Sequence, residues 1–272
     1  MKLGYQIATP DVNLSWGVTA YQADLDTSFK TLKTLGYDGA ELMVARPSDI
    51  DADELIYLAR KYSLPIPMIC TGELFGQERL SFSDASDDVR NKAISEAKAA
   101  IRLAEKVGAP FINIGRLRGG LTLNGDHEEE KKRSLDGLKQ VAAFGETLGI
   151  YVLLEPVNSI ASTFINSTQE GLAALRTVGE PYLQLMLDTN HMYLDDKDML
   201  ASVDDAKGAV RFVHLVDSNR LYPGNCKLDF PAFLKKMSET GYSGWYSVEV
   251  FQRPDQDTAI RKSIEYLRSI DI

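Results

Sequence analysis

The sequence lacks the features that mark several large classes of protein. Its 272 residues include two cysteines, far apart at Cys70 and Cys226, which excludes a disulfide framework. No apolar run reaches membrane-spanning length, and the opening MKLGYQIATP has none long enough for a signal peptide. No GxGxxG segment follows the first predicted strand and no P-loop is present, so the usual nucleotide-binding signatures are missing. The expected location is the reducing cytoplasm, with no membrane partner.

Positive charge is also in short supply. Lysine and arginine number 30 against 39 aspartates and glutamates, which gives a formal net charge of −9. This balance disfavours binding to nucleic acid or to an anionic membrane surface. A small neutral or anionic substrate remains compatible with it, provided that an arginine or a metal ion lies at the site. Because no linker, charge block or low-complexity run interrupts the chain, we expect one domain over residues 1–272.

What the sequence does contain is a regular alternation of short apolar runs and longer amphipathic ones. Eight runs have the length of typical strands, about five or six residues. They are almost continuously apolar, as parallel strands covered by helices are. The eight runs are LGYQIA, GAELMV, PIPMIC, PFINIG, YVLLE, LQLMLD, VRFVHLV and WYSVEV.

Helical patterns separate these runs, and several end at a glycine that leads directly into the next strand. Such a glycine is typical of a left-handed helix C-cap. The five candidates are Gly36, Gly108, Gly149, Gly179 and Gly241. Eight strands alternating with helices in about 250 residues predict a single (β/α)₈ TIM barrel, with the active site at the C-terminal ends of the strands. A doubly wound open sheet is the alternative.

The last four predicted strands share a feature at their C-terminal ends. Each brings one ligand-type side chain to the same rim: Glu155, Asp188, His214 and Glu249. Taken singly, a strand-end acid is typical of a helix cap or an outward salt bridge, and a histidine in an apolar run is typical of the core. Burying an unpaired carboxylate between two valines, as at Glu249, is costly. One divalent cation would offset these costs for all four side chains.

The oxygen-rich composition of this group indicates a hard or borderline ion. Two glutamates, one aspartate and one imidazole suit Mn²⁺, Mg²⁺, Co²⁺ or Zn²⁺, and Mn²⁺ fits best. Protein ligands of this number leave open positions on the ion, which neighbouring carbonyl and hydroxyl oxygens of a substrate would fill. The sequence therefore predicts one divalent metal ion per chain and a small-molecule substrate.

Four short segments in this region resemble a known family. EPVN, DTNHM, HLVDSNR and SVEV, at the ends of strands five to eight, are similar to the xylose isomerase-like TIM barrel family of sugar isomerases and epimerases. Its ketose 3-epimerases and 5-keto-gluconate epimerases are the most similar. The resemblance implies that the four rim residues hold the metal, with Glu155 and Glu249 also acting as the acid–base pair. It further implies substrate contacts from His191 and Arg220, and a homodimer or homotetramer.

One departure from the family pattern concerns the substrate rather than the metal. The family's fifth-strand segment continues to an arginine and a second glutamate, where this chain has Ser159 and Ala161 in EPVNSIAS. The contact to the carbonyl end of a free ketose is therefore missing. We expect a keto-sugar acid or an otherwise modified keto-sugar to be preferred.

Arginines on the opposite wall are candidates for binding a carboxylate or a phosphate. GRLRGG after the fourth strand places Arg116 and Arg118 at the predicted rim, and CTGE after the third places Glu73 there. Arg116 is the third predicted substrate contact. The alternative is that these are solvated loop charges that pair with the acidic segment GDHEEE.

Together these features predict a divalent-metal-dependent sugar isomerase or epimerase of carbohydrate metabolism. Glu155 and Glu249 would transfer protons through a metal-stabilised enediolate of a keto-sugar or keto-sugar acid. One alternative is a metal-dependent lyase that dehydrates a keto-polyol such as an inosose or dehydroshikimate, and another is a non-catalytic binding protein. The endonuclease IV-like branch of the barrel requires a histidine-rich multinuclear site, which three histidines and the negative net charge argue against.

Overall fold

The computed structural model describes residues 1–271, in which eight parallel strands form one closed barrel in chain order. The strands are β1 Lys2–Ala8, β2 Gly39–Met43, β3 Met68–Cys70, β4 Phe111–Ile114, β5 Tyr151–Leu154, β6 Leu183–Asp188, β7 Val210–His214 and β8 Trp245–Val248. Strand β1 also pairs with β8, with Lys2 opposite Trp245. This pairing closes the sheet and excludes the open doubly wound alternative. The predicted (β/α)₈ TIM barrel is confirmed.

Helices connect the strands on the outside of the barrel. They are α1 Leu25–Leu35, α2 Ala52–Tyr62, α3 Gly72–Gly76, α4 Asp87–Val107, α5 His127–Leu148, α6 Thr168–Val178, α7 Thr189–Asp195, α8 Met199–Asp205, α9 Phe230–Glu239 and α10 Gln256–Arg268. Left-handed glycine caps are confirmed at four predicted positions, Gly36, Gly108, Gly149 and Gly179. The cap predicted at Gly241 is confirmed as well: it follows Thr240 with a φ of 83°, and its N–H and that of Tyr242 bond to the carbonyl oxygens of Ser238 and Met237.

Alternate residues of the strands face the barrel axis and decide where the site lies. The lower half of the interior is an apolar floor formed by Met68, Leu153, Met186 and Phe212. Because strand side chains alternate with a period of two, the residue two positions after Leu153, Met186 or Phe212 faces the same interior. Those positions are three of the predicted metal ligands: Glu155 just beyond β5, Asp188 on β6 and His214 on β7. The strand sequences therefore determine that an apolar floor lies below a polar rim.

The predictions about cysteines, membrane helices and domains concern the whole chain, whereas the structure describes residues 1–271. Cys70 is buried and Cys226 is exposed, and both are free thiols. Within residues 1–271, no helix combines the length and the apolar character that a bilayer crossing requires. The single domain over residues 1–272 stays a prediction, and Ile272 lies outside the described residues.

Candidate metal centre

The four predicted metal ligands meet at the C-terminal rim of the barrel. One ligand atom from each lies within 4.8 Å of the others, and all four residues are buried. His214 Nδ1 lies 3.5 Å from Glu155 Oε1 and 3.6 Å from Glu249 Oε2. Its distance to Asp188 Oδ2 is 3.9 Å. We call these four residues the ligand cluster.

Each carboxylate of the cluster has a second oxygen that a neighbouring group holds. Asn113 on β4 donates to Glu155 Oε2 at 3.2 Å, and Gln6 on β1 donates to Glu249 Oε1 at 3.3 Å. Asp188 Oδ1 accepts two backbone N–H groups from the first turn of α7, which it caps. These contacts fix each carboxylate with its other oxygen facing the centre of the cluster.

Two atoms at that centre have no hydrogen-bond partner among the described residues. They are Glu155 Oε1 and His214 Nδ1, both buried. A buried polar atom without a partner is costly. Both atoms face the same space as the inner oxygens of Asp188 and Glu249, and three carboxylates with one imidazole are a suitable donor set for a divalent cation. The residues therefore fit the predicted metal ion.

Glu41, which the pattern at the strand ends does not indicate, is also part of this centre. It lies in the middle of β2, fully buried, and its carboxylate accepts a hydrogen bond from His214 Nε2 at 3.0 Å. A proton on Nε2 leaves Nδ1 as the lone-pair atom that faces the cluster. A charge inside the apolar run GAELMV is the same kind of signal that singles out Glu249.

Substitution of Glu41 tests this arrangement. We expect Glu41→Gln to weaken Mn²⁺ binding by about 10–100-fold, because a neutral partner makes His214 a less basic ligand. Isothermal titration calorimetry with EDTA-treated protein measures the affinity. The control is Glu130→Gln, which removes a buried carboxylate that binds Thr122 instead. Unchanged Mn²⁺ affinity in Glu41→Gln would show that His214 does not depend on this partner.

Arg220, a predicted substrate contact, lies directly against the cluster. Its Nη1 donates to Asp188 Oδ2 at 3.1 Å, and its Nη2 donates to Glu249 Oε2. The backbone of Arg220 has a φ of 61°, a left-handed conformation that is uncommon outside glycine. Such backbone strain is typical of functional positions. The placement suits a group that binds a substrate oxygen beside the ion, a role that stays a prediction.

His191, the second predicted contact, is oriented by Asn158. The Asn158 side-chain oxygen accepts the backbone N–H groups of Ile160 and Ala161, so its amide nitrogen donates to His191 Nδ1 at 2.7 Å. The other ring nitrogen, Nε2, therefore bears the proton. Burial lowers the pKa of His191, although Asp188 opposes this effect. A neutral ring with one free N–H is suited to donate to a substrate oxygen.

The two glutamates of the cluster differ in proton affinity. Burial raises the pKa of Glu249 to about 7, although the neighbouring Arg220 acts in the opposite direction. Burial also acts to raise the pKa of Glu155, but His214 and His191 together outweigh it, and that pKa lies below its ordinary value. Two carboxyl groups with separated pKa values are typical of an acid–base pair.

The cluster opens into a cavity of about 530 Å³, a volume within the range of small-molecule sites. Arg220, His191 and Arg116 all line it, so the three predicted substrate contacts share one space. The Arg116 guanidinium lies 3.7 Å from Glu73 and packs over the Phe75 ring at 5.4 Å. Arg116 thus pairs within the cavity wall rather than with the acidic segment GDHEEE.

The prediction that Arg118 lies at the rim is wrong. Its side chain is fully buried and donates to the backbone oxygens of Gly115, Glu155, Phe164 and Ile165. Arg118 thereby ties the loop that follows β5 to the end of β4. Burial lowers the pKa of Arg118 to about 10. Its role is to hold the backbone that positions Glu155, since no part of its side chain is exposed.

The stability of this loop should depend on Arg118. We expect Arg118→Met to lower the free energy of unfolding by about 3 kcal/mol or more, because it removes the hydrogen bonds of a buried guanidinium to four backbone carbonyl oxygens. Urea unfolding followed by circular dichroism measures the change. Arg116→Met, at a partly exposed position, is the matched control and should cost less than about 1 kcal/mol. Equal losses in the two variants would contradict the role assigned to Arg118.

The fold and the cluster together define a TIM-barrel protein with a candidate divalent-metal centre at its C-terminal rim. Residues 29–270 match the family described as Xylose isomerase-like TIM barrel. The chain belongs to this family, as the four segments EPVN, DTNHM, HLVDSNR and SVEV predict.

Named relatives of this chain are epimerases. L-ribulose 3-epimerase from Mesorhizobium japonicum is 26% identical over 94% of this chain and 85% of its own length. The apo structure of 3-keto-D-glucoside 4-epimerase from E. coli has a TM-score of 0.83 at 21% identity, over 99% of both chains. D-allulose 3-epimerase from Methylomonas sp., in complex with D-allulose, has a TM-score of 0.84 at 21% identity, over 100% of this chain and 97% of its own. At these identities the two solved structures show a shared fold.

Proposed function

We propose that this protein is a divalent-metal-dependent epimerase of a keto-sugar or keto-sugar acid that works by proton transfer through an enediolate. The enzyme class predicted from the sequence, a sugar isomerase or epimerase, is confirmed by relatives that are named 3-epimerases. The observation that supports the chemistry most strongly is the ligand cluster, in which four buried side chains from consecutive strands face one space.

We propose Mn²⁺ as the ion, with one ion per chain held by the ligand cluster. The support is the donor set, in which oxygen predominates and a single imidazole is present. A divalent cation bound there would supply positive charge beside the carbonyl group of a keto-sugar and the hydroxyl group on the neighbouring carbon. This charge would acidify the C–H group of that neighbouring carbon.

The protons are transferred by Glu155 and Glu249. They extend from β5 and β8, two strands separated by β6 and β7 around the barrel. Removal of a proton on one face of the carbon and delivery of a proton to the other face inverts the centre. One glutamate acts as the base on its face of the carbon and the other as the acid on the opposite face.

The substrate is held by the remaining predicted contacts. In this proposal Arg220 and the Nε2–H group of His191 donate to oxygens next to the reacting carbon, supported by the single cavity that they line together with Arg116. We place the reaction in cytoplasmic carbohydrate metabolism, in a homodimer or homotetramer, with nucleic acid and membranes excluded as partners. The proposals on location, metabolic role, oligomeric state and partners rest on composition and family resemblance.

Product analysis tests the proposal. The protein is incubated with Mn²⁺ and a panel of ketoses, 5-keto-gluconate and an inosose, and the products are identified by NMR. An epimer of the starting sugar is the expected product. A product that has lost water would establish the lyase alternative, and an aldose would establish isomerisation between neighbouring carbons. No conversion of any compound would contradict the proposal.

A further inference from the structure

A second chamber opens from the side of the active-site cavity. It has a volume of about 190 Å³ and lies between the end of α3, the turn that follows β4 and the loop after β5. The two spaces share three lining residues, Arg116, Ile160 and Ala161. They are therefore adjacent, and we call the smaller one the side chamber.

We propose that the side chamber binds a second, uncharged ring that the substrate has attached to the reacting keto-sugar. The natural substrate is then a sugar conjugate or glycoside rather than a free ketose. This inference rests on the proposed function, because it places the reacting carbon between Glu155 and Glu249 and extends the substrate from there toward Ala161.

The chemistry of the side chamber suits a hydroxylated ring. Phe75 and Ile160 supply apolar surface, and Ile160 is 83% exposed, so that a ligand here would cover it. Ser159 lies on the same lining and supplies a polar side chain. A sugar ring has one face of C–H groups and a rim of hydroxyls, and sites of this kind combine apolar surface with a few polar groups.

The charge of the side chamber favours a neutral group over a strongly anionic one. Of the described residues that line it, Arg116 alone is charged. Glu73 lies 3.7 Å from Arg116 and offsets its charge, yet it is too distant to use the guanidinium N–H groups in a hydrogen bond. Arg116 therefore has free donors for hydroxyl or ether oxygens, in surroundings that are close to neutral.

The boundary between the two spaces lies at Ala161, which lines both of them. The backbone N–H of Ala161 is held by the backbone and side-chain oxygens of Asn158 at 3.0 and 3.1 Å. Asn158 also orients His191, so this boundary has a fixed position relative to the reacting sugar. A long side chain in place of the Ala161 methyl group would occupy space at this boundary.

The experiment compares D-fructose with three conjugates of it that have a glucosyl ring on O1, O4 or O6. With Mn²⁺ present, affinity is measured by calorimetry and kcat/KM by NMR for each compound. At least one conjugate should be preferred over D-fructose by about tenfold or more in both measurements. Ala161→Met should abolish that preference, since its uncharged side chain occupies the boundary between the two spaces without restoring the family's glutamate. The matched control Ala173→Met, at an exposed position on α6, should retain it.

Four outcomes separate this inference from the proposed function. A preference that disappears only in Ala161→Met supports the side chamber as the site of the second ring. Epimerisation of D-fructose with equal or poorer use of every conjugate overturns the side chamber and leaves the proposed function standing, as does a preference that survives in Ala161→Met. Failure of all four compounds to bind or react counts against both.

Discussion

Glu155→Gln and Glu249→Gln should each lower kcat by at least about 100-fold while the fold stays intact, because an amide cannot exchange a proton with carbon. Both side chains face the same space beside His214, and each has one oxygen held by a neighbour, through Asn113 or Gln6. Glutamine retains the size and one oxygen of glutamate, so the packing of the rim should survive. The loss should therefore appear in turnover rather than in folding.

The measurement requires saturating Mn²⁺, so that weaker metal binding is not mistaken for lost proton transfer. Steady-state kinetics on the substrate found by product analysis give kcat, and thermal melting reports the fold. Glu130→Gln, at a buried carboxylate outside the site, is the control and should keep kcat within about threefold. If either cluster variant kept kcat near that of the unsubstituted protein, that glutamate would be structural or a metal ligand only.

Removal of the metal should abolish turnover and lower the melting temperature. A ligand that binds only the folded state stabilises it by about 2.7 kcal/mol at a hundred times its dissociation constant. For a chain of this length that corresponds to a shift of roughly 5 °C or more. This stabilisation would arise at the ligand cluster, where the oxygens of three carboxylates lie 3.5 to 3.9 Å from His214 Nδ1.

Differential scanning fluorimetry with EDTA, and then with added Mn²⁺, measures this effect. The double variant Asp188→Asn with His214→Gln is the control, because it removes two ligands and should show no metal-dependent shift. Equal melting temperatures of the unsubstituted protein with EDTA and with Mn²⁺ would mean that the cluster is a network of structural ion pairs.

The barrel could be predicted from the sequence because the patterns that indicate its strands and helix ends are local and repeated. Each strand is a short apolar run, and left-handed glycines such as Gly108 and Gly149 end helices directly before the next strand. Gly241 follows the same rule. Its φ is positive, and its N–H and that of Tyr242 bond to the carbonyl oxygens of Ser238 and Met237, as the corresponding groups do at Gly108. Element order and these helix ends therefore both follow from the sequence pattern.

The residues of the candidate site could be predicted only in part from the sequence. Residues at strand ends can be found from sequence, because parallel strands present their C-terminal ends to one rim. Glu41 lies in the middle of β2 and contacts His214 across the barrel interior. Such a contact depends on which strands face each other through the axis. The position of Glu41 within an apolar run was the available signal.

Arg118 shows why charge alone does not reveal location. Arg116 and Arg118 are two residues apart in the same turn, yet one lines the cavity and the other is fully buried among backbone carbonyls. The difference arises because the loop after β5 folds over Arg118 and presents the carbonyl oxygens of Phe164 and Ile165 to the guanidinium. That loop conformation is a tertiary feature, which the sequence GRLRGG does not contain.

The most direct test of the central claim is solvent-proton exchange in D₂O. The protein is incubated with Mn²⁺ and the substrate identified by product analysis, and NMR follows deuterium at each carbon. Proton transfer by Glu155 and Glu249 predicts deuterium at one carbon beside the carbonyl, appearing together with the epimer and absent after EDTA treatment. Epimer formation without any deuterium from solvent, or incorporation that continues at the same rate in Glu155→Gln and Glu249→Gln, would contradict the account.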